Sequence, residues 1–145
     1  MSKMILFLCT GNTCRSPMAE GFAKKIFGEL GLDYTVQSAG LSAGSGGANE
    51  KSILAAREYG VDITSHKARQ LTLDLANDAE ILYTMTPAQA YLLKQTLPNK
   101  KIFPLTEEGI ADPYGGSEEV YRQCAREIYG AVEKIGKELK DAETC

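Results

Sequence analysis

The stretch Met4-Ile5-Leu6-Phe7-Leu8-Cys9-Thr10-Gly11-Asn12-Thr13-Cys14-Arg15-Ser16-Pro17 constrains the fold more than any other part of this chain. Residues 4–8 read as a buried strand that ends in a cysteine. A short polar loop follows, and a helix is predicted to begin at Ser16-Pro17, covering residues 17–30. Met18, Phe22, Ile26 and Leu30 share one face of that helix, and Gly31 stops it. The alternation continues downstream. Residues 34–38, 80–85 and 101–105 read as strands, and residues 49–59, 71–78 and 87–96 as helices, with a glycine-rich loop over 39–47. Ser117 caps a last helix whose predicted buried face is Val120, Cys124, Ile128, Val132, Ile135 and Leu139. Strands alternating with helices over short connections imply an α/β fold, with a parallel sheet covered by helices on both faces. Ligands of such folds bind beyond the carboxyl ends of the strands, where Cys9 falls.

That position gives the loop a chemistry. A thiol among backbone amides at a helix N-terminus sits where an anion is held. Thr10, Gly11, Asn12, Thr13, Cys14, Arg15 and Ser16 supply the amides, and Arg15 adds a planar fork for two phosphate oxygens. Gly11 permits close approach of the backbone, and Asn12 tolerates left-handed dihedrals. The positive field suits a nucleophilic thiolate at Cys9, to which the Ser16 hydroxyl can donate. Phosphoryl transfer through a cysteinyl-phosphate is the reaction this arrangement fits. A lone cysteine is ordinarily an inert apolar residue. Gly11, Asn12, Arg15, Ser16 and Pro17 around this one argue otherwise. No Gly-Lys-Ser or Gly-Lys-Thr follows, which disfavours a nucleoside triphosphatase.

A second candidate is Asp112, in Asp112-Pro113-Tyr114-Gly115-Gly116 after the fourth strand. Pro113 biases Asp112 towards extended backbone and stiffens the loop. A carboxyl there could protonate a leaving group and then activate water. Alone, Asp-Pro is an ordinary turn signal; beside the Cys9 loop it reads as a general acid.

The 145 residues are expected to form a single domain, residues 1–145. A formal net charge of −3 argues against a nucleic-acid partner. The five apolar residues after Met1-Ser2-Lys3 are short for a signal peptide, and no run approaches a membrane span. The expectation is a cytoplasmic chain with no membrane partner. Its four cysteines then read as thiols, not a disulfide framework. One histidine and no Cys-x-x-Cys pair argue against a metal site, and no cofactor is expected.

These motifs resemble the low-molecular-weight protein-tyrosine phosphatase family. Cys9-x5-Arg15-Ser16 is similar to its phosphate loop and Asp112-Pro113-Tyr114 to its acid loop. His66-Lys67-Ala68-Arg69-Gln70 resembles a family segment whose histidine braces the Asn and Ser of the loop, here Asn12 and Ser16. The resemblance implies a four-stranded parallel sheet of the flavodoxin-like kind, no metal, and hydrolysis of phosphorylated protein through Cys9. Inorganic phosphate or vanadate would be ligands of the site.

Thr13 bears on the substrate. Tyrosine phosphatases of the family commonly carry an aliphatic residue there. The protein-arginine phosphatase branch carries Thr within Cys-Thr-Gly-Asn-Thr-Cys-Arg-Ser, as this chain does from Cys9 to Ser16. A polar phosphoguanidinium gains from a hydroxyl where a phenyl ring wants apolar walls. Thr10, Thr13 and Tyr114 are the expected pocket walls, and Tyr114 departs from the Phe of the arginine branch. Phosphoarginine is the favoured substrate and phosphotyrosine the alternative. Thioredoxin-coupled arsenate reductases share a similar loop but need two further cysteines in mid-chain. None occurs here between Cys14 and Cys124. A non-catalytic phosphate-binding module would not need Asp112. Cys14 borders the same anion site, which suggests a reversible disulfide with Cys9. Cys145 has no assigned role.

Overall fold

The computed structural model describes residues 3–143, so Cys145 lies outside the described residues. Four parallel strands form one sheet in the order β2-β1-β3-β4: β1 (Lys3–Cys9), β2 (Tyr34–Gly40), β3 (Ala79–Thr84) and β4 (Lys101–Pro104). Five helices connect or follow them: α1 (Arg15–Glu29), α2 (Glu50–Arg57), α3 (Leu73–Asp78), α4 (Pro87–Thr96) and α5 (Glu118–Glu143). The α/β architecture with a covered parallel sheet is as expected.

Successive side chains on a strand point to opposite faces, and β1 shows why its apolar run is continuous. Ile5, Phe7 and Cys9 enter one core, with Met18 and Phe22 of α1 and Ile128 and Val132 of α5. Met4, Leu6 and Leu8 enter the other, with Ala76 of α3 and Ala90 of α4. Cys9 therefore ends the strand on the face covered by α1 and α5.

Several boundaries differ from the sequence reading. Helix α1 begins at Arg15, two residues before Pro17. Proline is harmless in a first turn, where the amide has no intrahelical partner, so Arg15 belongs to the helix start. Strand β2 runs on to Gly40 because its register with β1 continues to Cys9↔Gly40. Helix α3 starts after Thr72, whose hydroxyl accepts from the Leu75 amide. Leu71 thus precedes that helix, and Leu73 is exposed. Val120 was predicted on the buried face of α5 but is 46% exposed. The buried stripe starts instead at Tyr121 and continues through Cys124, Ala125, Ile128, Val132 and Ile135. Leu139 is only partly buried, packed against the edge of the core. No helix of the described residues is long and apolar enough to cross a membrane.

Candidate active site

At the carboxyl end of β1 the chain enters the loop 10–14, with Asn12 in the left-handed region at φ 58°. The turn brings the Asn12 amide to 3.3 Å from Cys9 Sγ, towards which it donates. Ser16 Oγ lies 2.9 Å from the same sulfur. When Cys9 is a thiolate it can only accept, so the Ser16 hydroxyl donates to it. The residue is 2% exposed, and these two donors meet its sulfur.

Asn12 organises the loop from within and is completely buried. Its Nδ2 donates to Ser16 Oγ at 2.8 Å and to Ser38 Oγ at 3.0 Å. Its Oδ1 accepts the Arg69 amide at 2.9 Å. Ser38 in turn donates to Glu20 Oε1 at 2.6 Å. Because an amide NH2 has no lone pair to offer, each serine hydroxyl keeps its own hydrogen for another partner. Ser38 spends it on Glu20, and Ser16 retains its own for Cys9. A chain of hydrogen bonds thus runs from Glu20 to the sulfur. His66 Nε2 lies 2.8 Å from the Asn12 carbonyl oxygen. That oxygen only accepts, so Nε2 carries the hydrogen. The histidine was expected to brace both Asn12 and Ser16. It reaches Asn12 alone, and Ser16 is held by the Asn12 side chain.

The segment carrying His66 is itself fastened to the sheet. Gly40 N donates to the Arg69 carbonyl and Leu71 N to the Gly40 carbonyl, each at 2.8 Å. Gly40 also passes so close to the loop that a Cβ there would lie 2.7 Å from the Thr10 carbonyl oxygen. This leaves room only for glycine at that crossing.

Arg15 is almost completely buried, and Nη1 donates to the Ile110 carbonyl at 2.7 Å. Its Nη2 lies 3.9 Å from Asp112 Oδ2. Asp112 also accepts the Tyr114 amide at 3.1 Å, an Asx turn that fixes the carboxyl at the loop's start. Cys9, Thr10, Gly11, Thr13, Cys14, Arg15, Asp112 and Tyr114 together line a cavity of about 220 Å³. The expected thiol, cation, carboxyl and walls meet there, and Tyr114 stands at the mouth, 76% exposed. A wider cleft of about 430 Å³ lies behind the Asn12 network against Glu20, Ser38, His66 and Arg69. No cysteine lines it. Among the described residues no group of three or more His, Cys, Asp or Glu is placed to hold a metal ion.

Cys14 Sγ faces the buried hydroxyl of Tyr121 at 3.4 Å. Burial raises the Tyr121 phenol, and its hydrogen bond with Cys14 adds to the shift. Burial also pushes the Cys124 thiol up to about 12, leaving it protonated at neutral pH.

Sequence reasoning missed Ser38, Glu20 and Gln89, whose Nε2 donates to Thr10 Oγ1 at 3.2 Å, and it gave Arg69 no role beyond its place in the His66 segment. Glu20 had a signal, since it stands four residues after Ser16 on one helix face. Ser38 and Gln89 reach the site only through the folding of separate elements, with no local mark.

Fold and pocket define a class: a small α/β protein with a buried thiol, hydrogen-bonded by a loop amide and a hydroxyl, beside an arginine and a carboxyl at the carboxyl end of a parallel sheet. Residues 4–144 match the family of low molecular weight phosphotyrosine protein phosphatases. The chain is 34% identical over 145 residues to a protein-arginine-phosphatase of Bacillus subtilis, covering 94% of this chain and 96% of that protein. It is 38% identical over 138 residues to an arsenate reductase of Oceanobacillus iheyensis, covering 93% and 96%. The crystal structure of a low molecular weight protein tyrosine phosphatase from T. tengcongensis superposes with a TM-score of 0.88 at 36% identity, covering 94% of this chain and 99% of that one. The chain belongs to the low molecular weight protein phosphatase family. Three differently named relatives lie at similar identity, so overall likeness does not choose among their reactions.

Proposed function

We propose that this chain hydrolyses phosphorylated protein side chains through a cysteinyl-phosphate, with phosphoarginine the favoured substrate. The observation that carries the reading is the convergence of Cys9, Arg15 and Asp112 on one small cavity whose wall includes Thr13. In the first step Cys9 Sγ attacks phosphorus while Arg15 and the loop amides hold the equatorial oxygens. Asp112 gives its proton to the departing nitrogen or oxygen. In the second step Asp112 takes a proton from water, which displaces phosphate from sulfur and regenerates the thiolate. Ser16 stabilises that thiolate as leaving group. The protein is expected to act in the cytoplasm without a cofactor.

Phosphoarginine is favoured because the phosphoryl group is common to both substrates, so the walls must discriminate. The Thr13 hydroxyl, half-buried in the cavity wall, suits a polar guanidinium and would face a phenyl ring unpaired. Tyr114 at the mouth supports the second reading, a phosphotyrosine enzyme with one aromatic wall. Arsenate reduction is disfavoured by the cysteine inventory. Beyond Cys9 and Cys14 the chain has Cys124, buried and held protonated, and the terminal Cys145.

Purified protein assayed side by side on phosphoarginine and phosphotyrosine peptides tests the reading. The expected result is a higher kcat/KM on phosphoarginine, no turnover by Cys9→Ser, and a lowered arginine-to-tyrosine ratio in Thr13→Ile. A parent that prefers phosphotyrosine, or a ratio unmoved by Thr13→Ile, overturns the arginine assignment. Full activity in Cys9→Ser overturns the covalent route.

A further inference from the structure

The first turn of α2 touches both loops of the site. Asn49 N donates to the Thr13 carbonyl at 2.7 Å, and Ser52 Oγ donates to the Cys14 carbonyl at 3.3 Å. These bonds bolt the helix to the phosphate loop. Between them in sequence, Lys51 turns the other way and donates from Nζ to the Gly116 carbonyl at 2.7 Å. Its ammonium also lies 6.0 Å from the centre of the Tyr121 ring. A cation in a helix's first turn opposes the helix dipole. The bond to Gly116 and the ring beneath compensate for that placement.

The carbonyl that Lys51 grips belongs to the acid loop. Gly116 N donates to the Pro113 carbonyl at 2.8 Å, closing a turn next to Asp112. The turn is tight, since a Cβ on Gly116 would lie 2.9 Å from both the Pro113 oxygen and Val120 Cγ1. The loop's other end is held by Arg15 at the Ile110 carbonyl. Asp112 itself is more than half exposed and meets Arg15 only at 3.9 Å. The Tyr114 amide orients the carboxyl within its loop, and the pins at the Ile110 and Gly116 carbonyls set where that loop stands at the cavity it shares with Cys9.

We infer that Lys51 is a positioning residue for Asp112, holding the acid loop in register with the phosphate loop through α2. The inference rests on the reading of Asp112 as general acid. Proton donation matters when the leaving group is a poor anion and little when it is a good one. Phenyl phosphate and dinitrophenyl phosphate separate the two cases, and activity on the latter reports an intact Cys9 site. Lys51→Met should lower kcat/KM on phenyl phosphate by about 10-fold or more, as expected for a small misplacement of a catalytic group. It should leave kcat/KM on dinitrophenyl phosphate within about 2-fold, since kcat/KM reports the steps up to departure of the leaving group and that leaving group needs little proton donation. Lys51→Arg, which can reach the same carbonyl, should restore most of the loss. Gly116→Ala, displacing that carbonyl from the other side, should give the same selective defect.

Asp112→Asn is the control that separates the two readings. If it lowers kcat/KM on both substrates equally, the general-acid reading fails and the role of Lys51 falls with it. If it is selective while Lys51→Met and Gly116→Ala slow both substrates equally or neither, the inference about Lys51 alone is overturned. Selective loss in all three variants, with no further loss when Lys51→Met is added to Asp112→Asn, supports it.

Discussion

Asn12 carries more of the site than its place in the loop suggests. Its backbone takes a left-handed dihedral that few non-glycine residues adopt, and its side chain fills both donor positions and its acceptor. The loop is thereby held in shape before any anion arrives. The same rigidity places Cys14, the helix N-cap of α1, on the wall of the Cys9 cavity. Peroxide oxidation of the Cys9 thiolate would give a sulfenic acid, and attack by the Cys14 thiolate on that sulfur would expel hydroxide and form a disulfide. Mild peroxide is thus expected to inactivate the protein, and a thiol reductant to restore it. Peptide mapping should find Cys9 joined to Cys14. Overoxidised Cys9 alone, or a bridge to Cys124, would show that the pair does not close. The phosphate-loop residues were legible in the sequence because they are contiguous. Of their supports, Glu20 had a local mark on the same helix as Ser16, whereas Ser38 and Gln89 did not, because separate elements deliver them.

Helix α5 shows where periodicity informs and where it stops. Cys124, Ile128, Val132 and Ile135 recur at helical spacing and are buried as read. The stripe was misplaced only at its ends, where Tyr121 takes the inner position and Val120 faces outward beside the acid loop. Ile128 is completely buried between the sheet and α1. Ile128→Ala should cost about 2–5 kcal/mol of unfolding free energy, the usual range for such a truncation in a close-packed core. Val120→Ala should cost about 0.5 kcal/mol or less, as surface changes do. Urea unfolding of the two variants checks the pair. Similar losses would mean that exposure does not rank positions on this helix.

Across the whole molecule, two buried acids on the α5 side of the sheet tie stability to alkaline pH. Burial pushes Cys124 from 9.0 up to about 12 and Tyr83 from 10.0 up to about 12. Each is raised on folding, so the folded chain keeps its proton where the unfolded chain has lost it. The stabilisation is fully present below the unfolded values. It declines as pH rises through 9.0 for the thiol and 10.0 for the phenol, and it is gone above about 12. The urea midpoint should therefore fall between about pH 8 and about pH 11, and fall less in Cys124→Val, which has no thiol to ionise. An unchanged slope in that variant would remove Cys124 from the account.

The sequence by itself determined the alternation of strands and helices, the parallel sheet and the polar loop that follows Cys9. These depend on spacing within a dozen or so residues, and hydrophobic period, helix stops and loop chemistry are local. It also singled out Asp112, but only by comparison with the loop it was expected to meet. The tertiary structure alone decided how the two loops are registered. The bonds that flank Asp112 run from Arg15 to Ile110 and from Lys51 to Gly116, across 95 and 65 residues. No local pattern encodes which lysine will find which carbonyl. That pairing exists only once the sheet has set α1, α2 and the acid loop around the carboxyl end of β1.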